Sequence, residues 1–402
     1  MSAGGEPYLK LGAPAYRAAS AALFMAGFGT FAVLYCVQPI MPRLSVEYAV
    51  SPTVSSLSLS YATGALAVSM LAISVVSERL GRKSLMAACL FAAALLTIAT
   101  AVAPSWNSLL TFRALTGLVL SGVPAVAMAY LGEEIEGPSL PRAVGLYIGG
   151  TAMGGLTGRL LSGFVVDLTG SWRFGVAAIG VVSLCGAMGF LRLLPPSRHF
   201  TPVTEGSLAR PLRLLGRHLL DPQLRRLFLT GFLLMGGFVT IYNYTAYRLS
   251  APPFGLRESW IGAIFLVYLS GMPSSAAFGT WAGRWGHAKA LSAGILVMLS
   301  GVALTLAGHL AVIVLGMLVM TGGFFGAHAV ISAWIAAHAK SGRVQASGLY
   351  LFFYYMGSSV FGAGAGLIWS AKGWTGVVAL VMGMLVLALL TTAAPRPKPR
   401  EG

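Results

Sequence analysis

Charge is scarce in this chain, and acid is scarcer than base. Only 9% of the 402 residues are Asp, Glu, Lys or Arg, with 11 acids against 27 bases. Soluble domains carry about 25%. A chain of this length with 9% cannot clothe a globule in charge, which excludes a water-soluble enzyme. Cysteine is also rare: Cys36, Cys89 and Cys185 all fall inside apolar segments. That excludes a disulfide framework and leaves small buried thiols. No G-x-x-x-x-G-K-[ST] loop is present, so ATP does not drive the process directly, and there is no H-E-x-x-H. His199, His218, His287, His309, His328 and His338 are scattered, so no metal is expected. The glycine-rich stretches follow no strand, unlike dinucleotide folds.

What fills the chain instead is apolar sequence, 56% of residues. Long apolar runs with charge confined between them are the mark of membrane-spanning helices. The spacing predicts helices at about 18–40, 53–76, 84–103, 107–131, 143–168, 172–194, 227–250, 259–282, 288–309, 311–336, 345–370 and 374–393, each able to cross a ~30 Å core. Helices are required because lipid offers backbone donors no outside partner. Breakers fall between them: Pro39 and Pro42, Pro52, Pro104, Pro138 and Pro141, Pro195-Pro196, Pro252-Pro253. The first run exceeds a signal-peptide core and reads as a retained helix.

Charge sets the expected orientation. With both termini cytoplasmic, inner tails and loops hold 20 Lys and Arg, and the outer side holds five: Arg43, Arg173, Arg248, Arg257 and Lys372. That asymmetry is the positive-inside pattern, so the net +16 reports topology and anionic lipid rather than nucleic acid. An inner-membrane, multi-pass protein follows, expected as a monomer. Residues 195–226 separate a first bundle, 1–194, from a second, 227–402. Within that linker, Leu208 to Leu220 interleaves Arg210, Arg213 and Arg217 with leucines. It reads either as an amphipathic helix on the inner leaflet or as a plain basic connector.

The two bundles repeat. Met25-Ala-Gly-Phe-Gly-Thr30 matches Met235-Gly-Gly-Phe-Val-Thr240, and Thr116-Gly117 matches Thr321-Gly322. Glu78-Arg-Leu-Gly-Arg82 matches Gly283-Arg-Trp-Gly-His287. Gly145-Leu-Tyr147 with Met153-Gly154 matches Gly348-Leu-Tyr350 with Met356-Gly357. Matches in register predict an all-α membrane fold of twelve helices in a 6+6 parallel repeat. Transporters built this way place their site between the halves at midplane.

Over its whole length the chain resembles the major facilitator superfamily. Ser74-x-x-x-Glu78-Arg79-x-Gly81-Arg82-Lys83 is similar to that family's G-x-x-x-D-R-x-G-R-K, with Ser for the first Gly and Glu for Asp. Its second copy, Gly279-x-x-x-Gly283-Arg284-x-Gly286-His287, lacks the acid. Arg113-x-x-Thr116-Gly117 resembles R-x-x-Q-G without the Gln. Gly150-x-x-x-Gly154-Gly155-x-x-Gly158-Arg159 resembles the antiporter motif G-x-x-x-G-P-x-x-G-G, with Gly155 for Pro and Arg159 for the last Gly. Four further stretches resemble the YnfM-type (acriflavine-sensitivity) branch of inner-membrane exporters. They are Leu34-Tyr-Cys-Val-Gln-Pro39, Gly154-Gly-Leu-Thr-Gly-Arg159, Tyr242-Asn-Tyr244 through Ala251-Pro-Pro-Phe-Gly255, and Phe353-Tyr-Tyr-Met-Gly-Ser-Ser359.

The resemblance implies a gate: Glu78 facing Arg82 and the end of helix 11, completed by Glu133 or Glu134, with a weaker latch at Gly279, Arg284 and Gly286. It also implies a cavity lined by helices 1, 4, 7 and 10. That nominates Tyr35, Gln38, Tyr242, Asn243 and Trp334, with Tyr354 and Tyr355 from helix 11. From the residues themselves, Gly150, Gly154, Gly155 and Gly158, and Gly357 on helix 11, allow close helix approach. Arg159 falls about 24 Å from the inner end of helix 5, just past midplane. A charge at that depth must face a cavity or partner. Arg113 lies about 9 Å from the outer end of helix 4. It either snorkels outward or joins the site, and Asp167 stands near enough to pair with either arginine. His328, mid-helix 10, is the central titrating group or a packing histidine. No acid lies at mid-depth, which leaves a cationic substrate without a counter-ion.

The expected function is proton-driven export of small amphiphilic molecules by alternating access, with no cofactor and the proton gradient as energy source. Proton-coupled uptake of a small organic acid would use Arg159 equally well. A non-transporting membrane sensor is the remote alternative.

Overall fold

The structure, a computed structural model, describes residues 8–76, 81–200, 209–339 and 341–393, with the side chains of 74–76, 209–212 and 393 left aside. Its long helices are α1 (Pro14–Tyr35), α2 (Pro52–Val76), α3 (Arg82–Ala101), α4 (Trp106–Glu134) and α5 (Leu140–Thr169). There follow α6 (Trp172–Leu193), α7 (Pro222–Ser250), α8 (Glu258–Trp285), α9 (His287–Leu304) and α10 (Leu310–His338). The 51-residue stretch Arg343–Ala393 leaves helical geometry at Gly373 (φ 59°, ψ −152°), which divides it into α11 (343–372) and α12 (374–393). Ten helices, with that stretch taken as one, are long and apolar enough to cross a membrane. The 30-residue α5 stands outside that set. Counting it, and the divided stretch as two, gives twelve rods among the described residues. Among those residues there is no strand, only a single bridge between Leu9 and Ile135.

Proline decides where the rods stop or loosen. Hydrophobicity alone carries the first helix to residue 40, but it ends at Tyr35, because Pro39 has no N–H for the Tyr35 carbonyl. Pro124 breaks α4 between Leu120 and Pro124 for the same reason. Pro273 cannot bond to Leu269, and α8 tightens into a 3₁₀ stretch over Phe265–Ser270. Asp221 starts α7 five residues before the expected position, its carboxylate accepting from the N–H groups of Gln223 and Leu224 at 2.8 and 2.9 Å.

The same pairings recur in each half: α1 with α5 and α7 with α11, α2 with α4 and α8 with α10. Across the halves, α2 meets α11 and α5 meets α8. Large apolar side chains stand exposed around the outside, among them Leu95, Phe164, Val181, Leu266, Leu315 and Leu367. A belt of that kind marks a surface made for lipid.

Contacts across the halves gather at the end opposite the chain termini, here called the far end. Arg43 pairs with Glu258 at 2.5 Å, and Ser45 Oγ meets Tyr247 Oη at 2.7 Å. Asp167 accepts from the Ser259 N–H at 3.0 Å. Deeper in, Thr63 Oγ1 meets Ser359 Oγ at 2.7 Å, and Tyr244 donates to the Gly362 carbonyl at 3.2 Å. These contacts join the two halves at this end. The opposite, terminal end carries Tyr8, Arg82, Glu133 and His199. The short helix Ala209–Leu220 packs beside α7 and α11, while Leu208 lies outside the described residues.

Candidate functional site

The site begins with the glycines of α5. A Cβ at Gly150, Gly154 or Gly158 would stand 2.0–2.5 Å from the carbonyl oxygens of Phe24, Phe28 and Ala32 on α1, so only glycine admits the α1 backbone there. Gly357 on α11 does the same for Phe232 on α7, at 2.0 Å. Close packing of α1 on α5 carries Tyr35 and Gln38 to the level of Arg159. Gly155 leaves room for the arginine itself, whose Nη1 would lie 3.2 Å from a Cβ there.

Arg159 is 1% exposed. Its Nε donates to Gln38 Oε1 at 2.7 Å and its Nη1 to the Gly155 carbonyl at 2.6 Å. Nη2 lies 3.4 Å from the Tyr268 hydroxyl. Three rings surround the guanidinium: Tyr35 at 4.2 Å, Phe265 at 4.4 Å and Tyr268 at 4.9 Å. Cation–π contacts contribute about 0.5–2 kcal/mol each, which offsets part of the cost of a buried charge. No carboxylate is paired with it among the described residues.

From Arg159 a chain of amides crosses between the halves. Gln38 Nε2 donates to Asn243 Oδ1 at 2.7 Å. The direction is forced, because arginine only donates and so fixes which end of Gln38 faces it. Asn243 is fully buried, and its Nδ2 has no hydrogen-bond partner. The cation therefore polarises an amide on α7 through one on the α1 side.

Toward the terminal end the rings continue as an aromatic cluster, called the chamber below for the role proposed for it. Phe238 stacks on Phe324 with centroids 3.8 Å apart, and Tyr242 stacks on Phe265 at 4.8 Å. The Tyr242 hydroxyl bonds to Thr321 Oγ1 at 2.6 Å. His328 Nδ1 meets the Tyr350 hydroxyl at 2.7 Å, with Tyr354 4.9 Å from the imidazole and Tyr355 5.1 Å beyond. Phe265, Tyr268, Phe238 and Tyr350 are not among the residues the sequence nominates. The available signal is Pro273, which loosens α8 where Phe265 and Tyr268 face Arg159.

Other expected members lie elsewhere. Arg113 neither snorkels nor faces the chamber: it donates to the carbonyls of Ser58, Val33 and Leu34 at 2.8, 3.0 and 2.6 Å. Two of these are orphan acceptors at the broken end of α1, so Arg113 caps that helix and ties it to α2. Asp167 pairs with neither arginine, being spent on the α8 N-terminus. Trp334 stacks on His287 with centroids 5.7 Å apart, away from Arg159.

The chain matches the Major Facilitator Superfamily over residues 23–279. It is 46% identical to the uncharacterized MFS-type transporter YybF of Bacillus subtilis (strain 168), over 95% of this chain and 94% of that one. The chain belongs to the major facilitator superfamily. It is also 44% identical to the inner membrane transport protein YnfM of Escherichia coli (strain K12), over 95% and 91%. The fold of this major facilitator chain matches a crystal structure of the nucleoside transporter NupG with a TM-score of 0.77, at 14% identity and covering 93% and 98%. The protein is a multi-pass membrane transporter and not an enzyme, and transporters of this superfamily need no cofactor.

Of the major facilitator loop motif, Glu78 and Arg79 lie outside the described residues, and Ser74 is described by its backbone alone. Gly81 precedes α3. Arg82 grips Glu133 through Nη2 at 2.6 Å and Nε at 3.1 Å and lies 4.7 Å over Phe200. Lys83 donates to the Leu194 carbonyl at 2.5 Å. Of Glu133 and Glu134, it is Glu133 that meets Arg82. Glu134 instead accepts from the N–H groups of Arg198 and His199 at 2.7 and 2.8 Å. In the second copy Gly279 and Arg284 are exposed, and Gly286 turns the chain at φ 84°, a conformation suited to glycine.

Proposed function

We propose that the protein exports small amphiphilic organic molecules with an acidic or neutral head, driven by the proton gradient and working by alternating access. The observation that carries this reading is Arg159: a buried guanidinium at the junction of the halves, boxed by aromatic rings, with no paired carboxylate among the described residues. An anionic group entering the chamber meets a cation already stripped of water, and the rings receive its apolar body. A cationic drug meets repulsion. With contacts across the halves gathered at the far end and termini in the cytoplasm, the halves would part on the terminal side, where an exporter takes up its load. The His328–Tyr350 pair is the proposed proton carrier. Export is favoured over uptake by the sequence resemblance to an exporter branch.

Everted membrane vesicles test both parts. Under an imposed proton gradient, export predicts accumulation of an aromatic carboxylate, and uptake symport predicts its loss. Accumulation of cations only, insensitive to Arg159→Ala, would overturn the substrate class.

A further inference from the structure

Helices α5 and α6 touch at the far end, where a Cβ on Gly175 would lie 2.7 Å from Val166 Cγ2. Toward the terminal end α6 packs on α1 instead, where a Cβ on Gly189 would lie 2.8 Å from Met25 Sδ. Between α1 and the start of α5 lies a cavity of about 550 Å³ whose walls include Arg17, Ser20, Phe24, Met25, Arg142 and Leu146. All its lining residues belong to the first half, so it is separate from the chamber around Arg159. The neighbouring α6 exposes Val181, Met188 and Leu191, an apolar face that marks the lipid side.

The cavity is chemically two-layered. Arg17 and Arg142 stand exposed near the starts of α1 and α5. Among the described residues no acid lines the cavity, and Glu136 is engaged by Lys10 at 3.7 Å. The Ser20 hydroxyl, on a residue only 5% exposed, has no hydrogen-bond partner. About two turns deeper, roughly 10 Å along α1, the walls become Phe24, Met25 and Leu146. Two guanidinium forks and a hydroxyl above an apolar slot match a phosphate carrying an acyl chain.

We propose that this groove binds the headgroup of an anionic phospholipid from the leaflet at the terminal end, with its acyl chain laid along Phe24 and Leu146. Basic pockets between membrane helices recognise such headgroups. The site stands independently of what the chamber transports.

The test uses the full-length protein in detergent, titrated with phosphatidylglycerol, phosphatidylcholine and soluble glycerol phosphate, and read by native mass spectrometry and thermal stabilisation. Phosphatidylglycerol is expected to bind about tenfold more tightly than phosphatidylcholine. Arg17→Gln combined with Arg142→Gln abolishes that preference. Leu146→Trp fills the slot and weakens the lipid while leaving both arginines in place, which covers the case of a poorly folding double variant. Arg213→Gln with Arg217→Gln, and separately Arg159→Ala, leave the preference unchanged. Equal binding of both lipids, or a preference that survives the groove variants, overturns the proposal. Glycerol phosphate binding as tightly as the lipid makes this a free-anion site and overturns it too. Loss of lipid on Arg159→Ala would move the lipid into the chamber and would equally overturn the groove as its site.

Discussion

Replacing Arg159 by alanine removes a cation that makes two short hydrogen bonds, at 2.7 and 2.6 Å, and sits within 5 Å of three ring centroids. The fold should tolerate the loss. The Gly155 carbonyl lies inside a helix; Gln38 Oε1 is left without its donor, at about 1–3 kcal/mol, and the Tyr268 hydroxyl loses only a long contact at 3.4 Å. Binding should be hit harder. Truncating one partner of a buried, hydrogen-bonded charge pair costs about 2–5 kcal/mol. At 1.4 kcal/mol per decade, that is a loss of about 30-fold or more in affinity for an anionic amphiphile. The neutral amide of the same molecule should lose less than about threefold, since the rings that hold its body remain. Arg159→Lys should fall between, because lysine keeps the charge but loses the planar fork and the stacking. Titrating wild type and both variants, as purified proteins, with the acid–amide pair by thermal shift checks these expectations. Equal losses for acid and amide would mean that Arg159 merely packs the chamber. No loss for the acid would refute the charge argument outright.

Three other outcomes follow from the geometry. Gly154→Val should prevent assembly of α1 against α5, since its Cβ would lie 2.0 Å from the Phe28 carbonyl oxygen. Gly145→Ala, which meets open space, should leave expression and melting temperature unchanged. Arg43→Ala breaks the 2.5 Å pair with Glu258 and should raise labelling of cysteines placed at Ser45 and Tyr247 by a membrane-impermeant thiol reagent. Unchanged labelling would remove that pair from the far-end seal. Asp221→Ala should lower stability by about 1 kcal/mol through loss of the α7 cap. Burial pushes the Asp221 carboxyl up, but its bonds to the Leu224 N–H, the His338 ring and the Gln223 N–H hold it below the usual carboxylate range. Its contribution is therefore full at neutral pH and fades as the pH falls through that lowered value. Denaturation midpoints of wild type and variant should converge there.

Depth along a helix is legible in the sequence, and direction around it is not. Depth arithmetic places Arg159 past midplane, the cavity helices implied by the family resemblance nominate Gln38 and Asn243, and these three do meet. The same arithmetic flags Arg113, yet its guanidinium turns onto α1 and α2. The reason is local: Pro39 ends α1 at Tyr35 and frees carbonyls that need a donor, and an arginine on the adjacent α4 supplies it. Phe265 and Tyr268 are hidden in the sequence because an aromatic in an apolar run looks like packing. Only the 3₁₀ tightening before Pro273 turns both rings toward the arginine. Asp167 reads as a counter-ion by position, but the start of α8 lies closer and takes its carboxylate.

The capping of α1 by Arg113 has a mechanical consequence. A helix broken at Tyr35 would ordinarily behave as a loose joint, and the turn beyond it, which carries Gln38, would swing by itself. One side chain rivets the last turn of α1, at Val33 and Leu34, to the backbone of α2 at Ser58, so the joint is held stiff on its α1 side and the turn carrying Gln38 starts from a fixed base. A tug on Gln38, from Arg159 on one side or Asn243 on the other, is then delivered to the whole first bundle. Without the rivet the joint would slip like a worn clutch: Arg113→Met should leave ligand binding intact while turnover stalls.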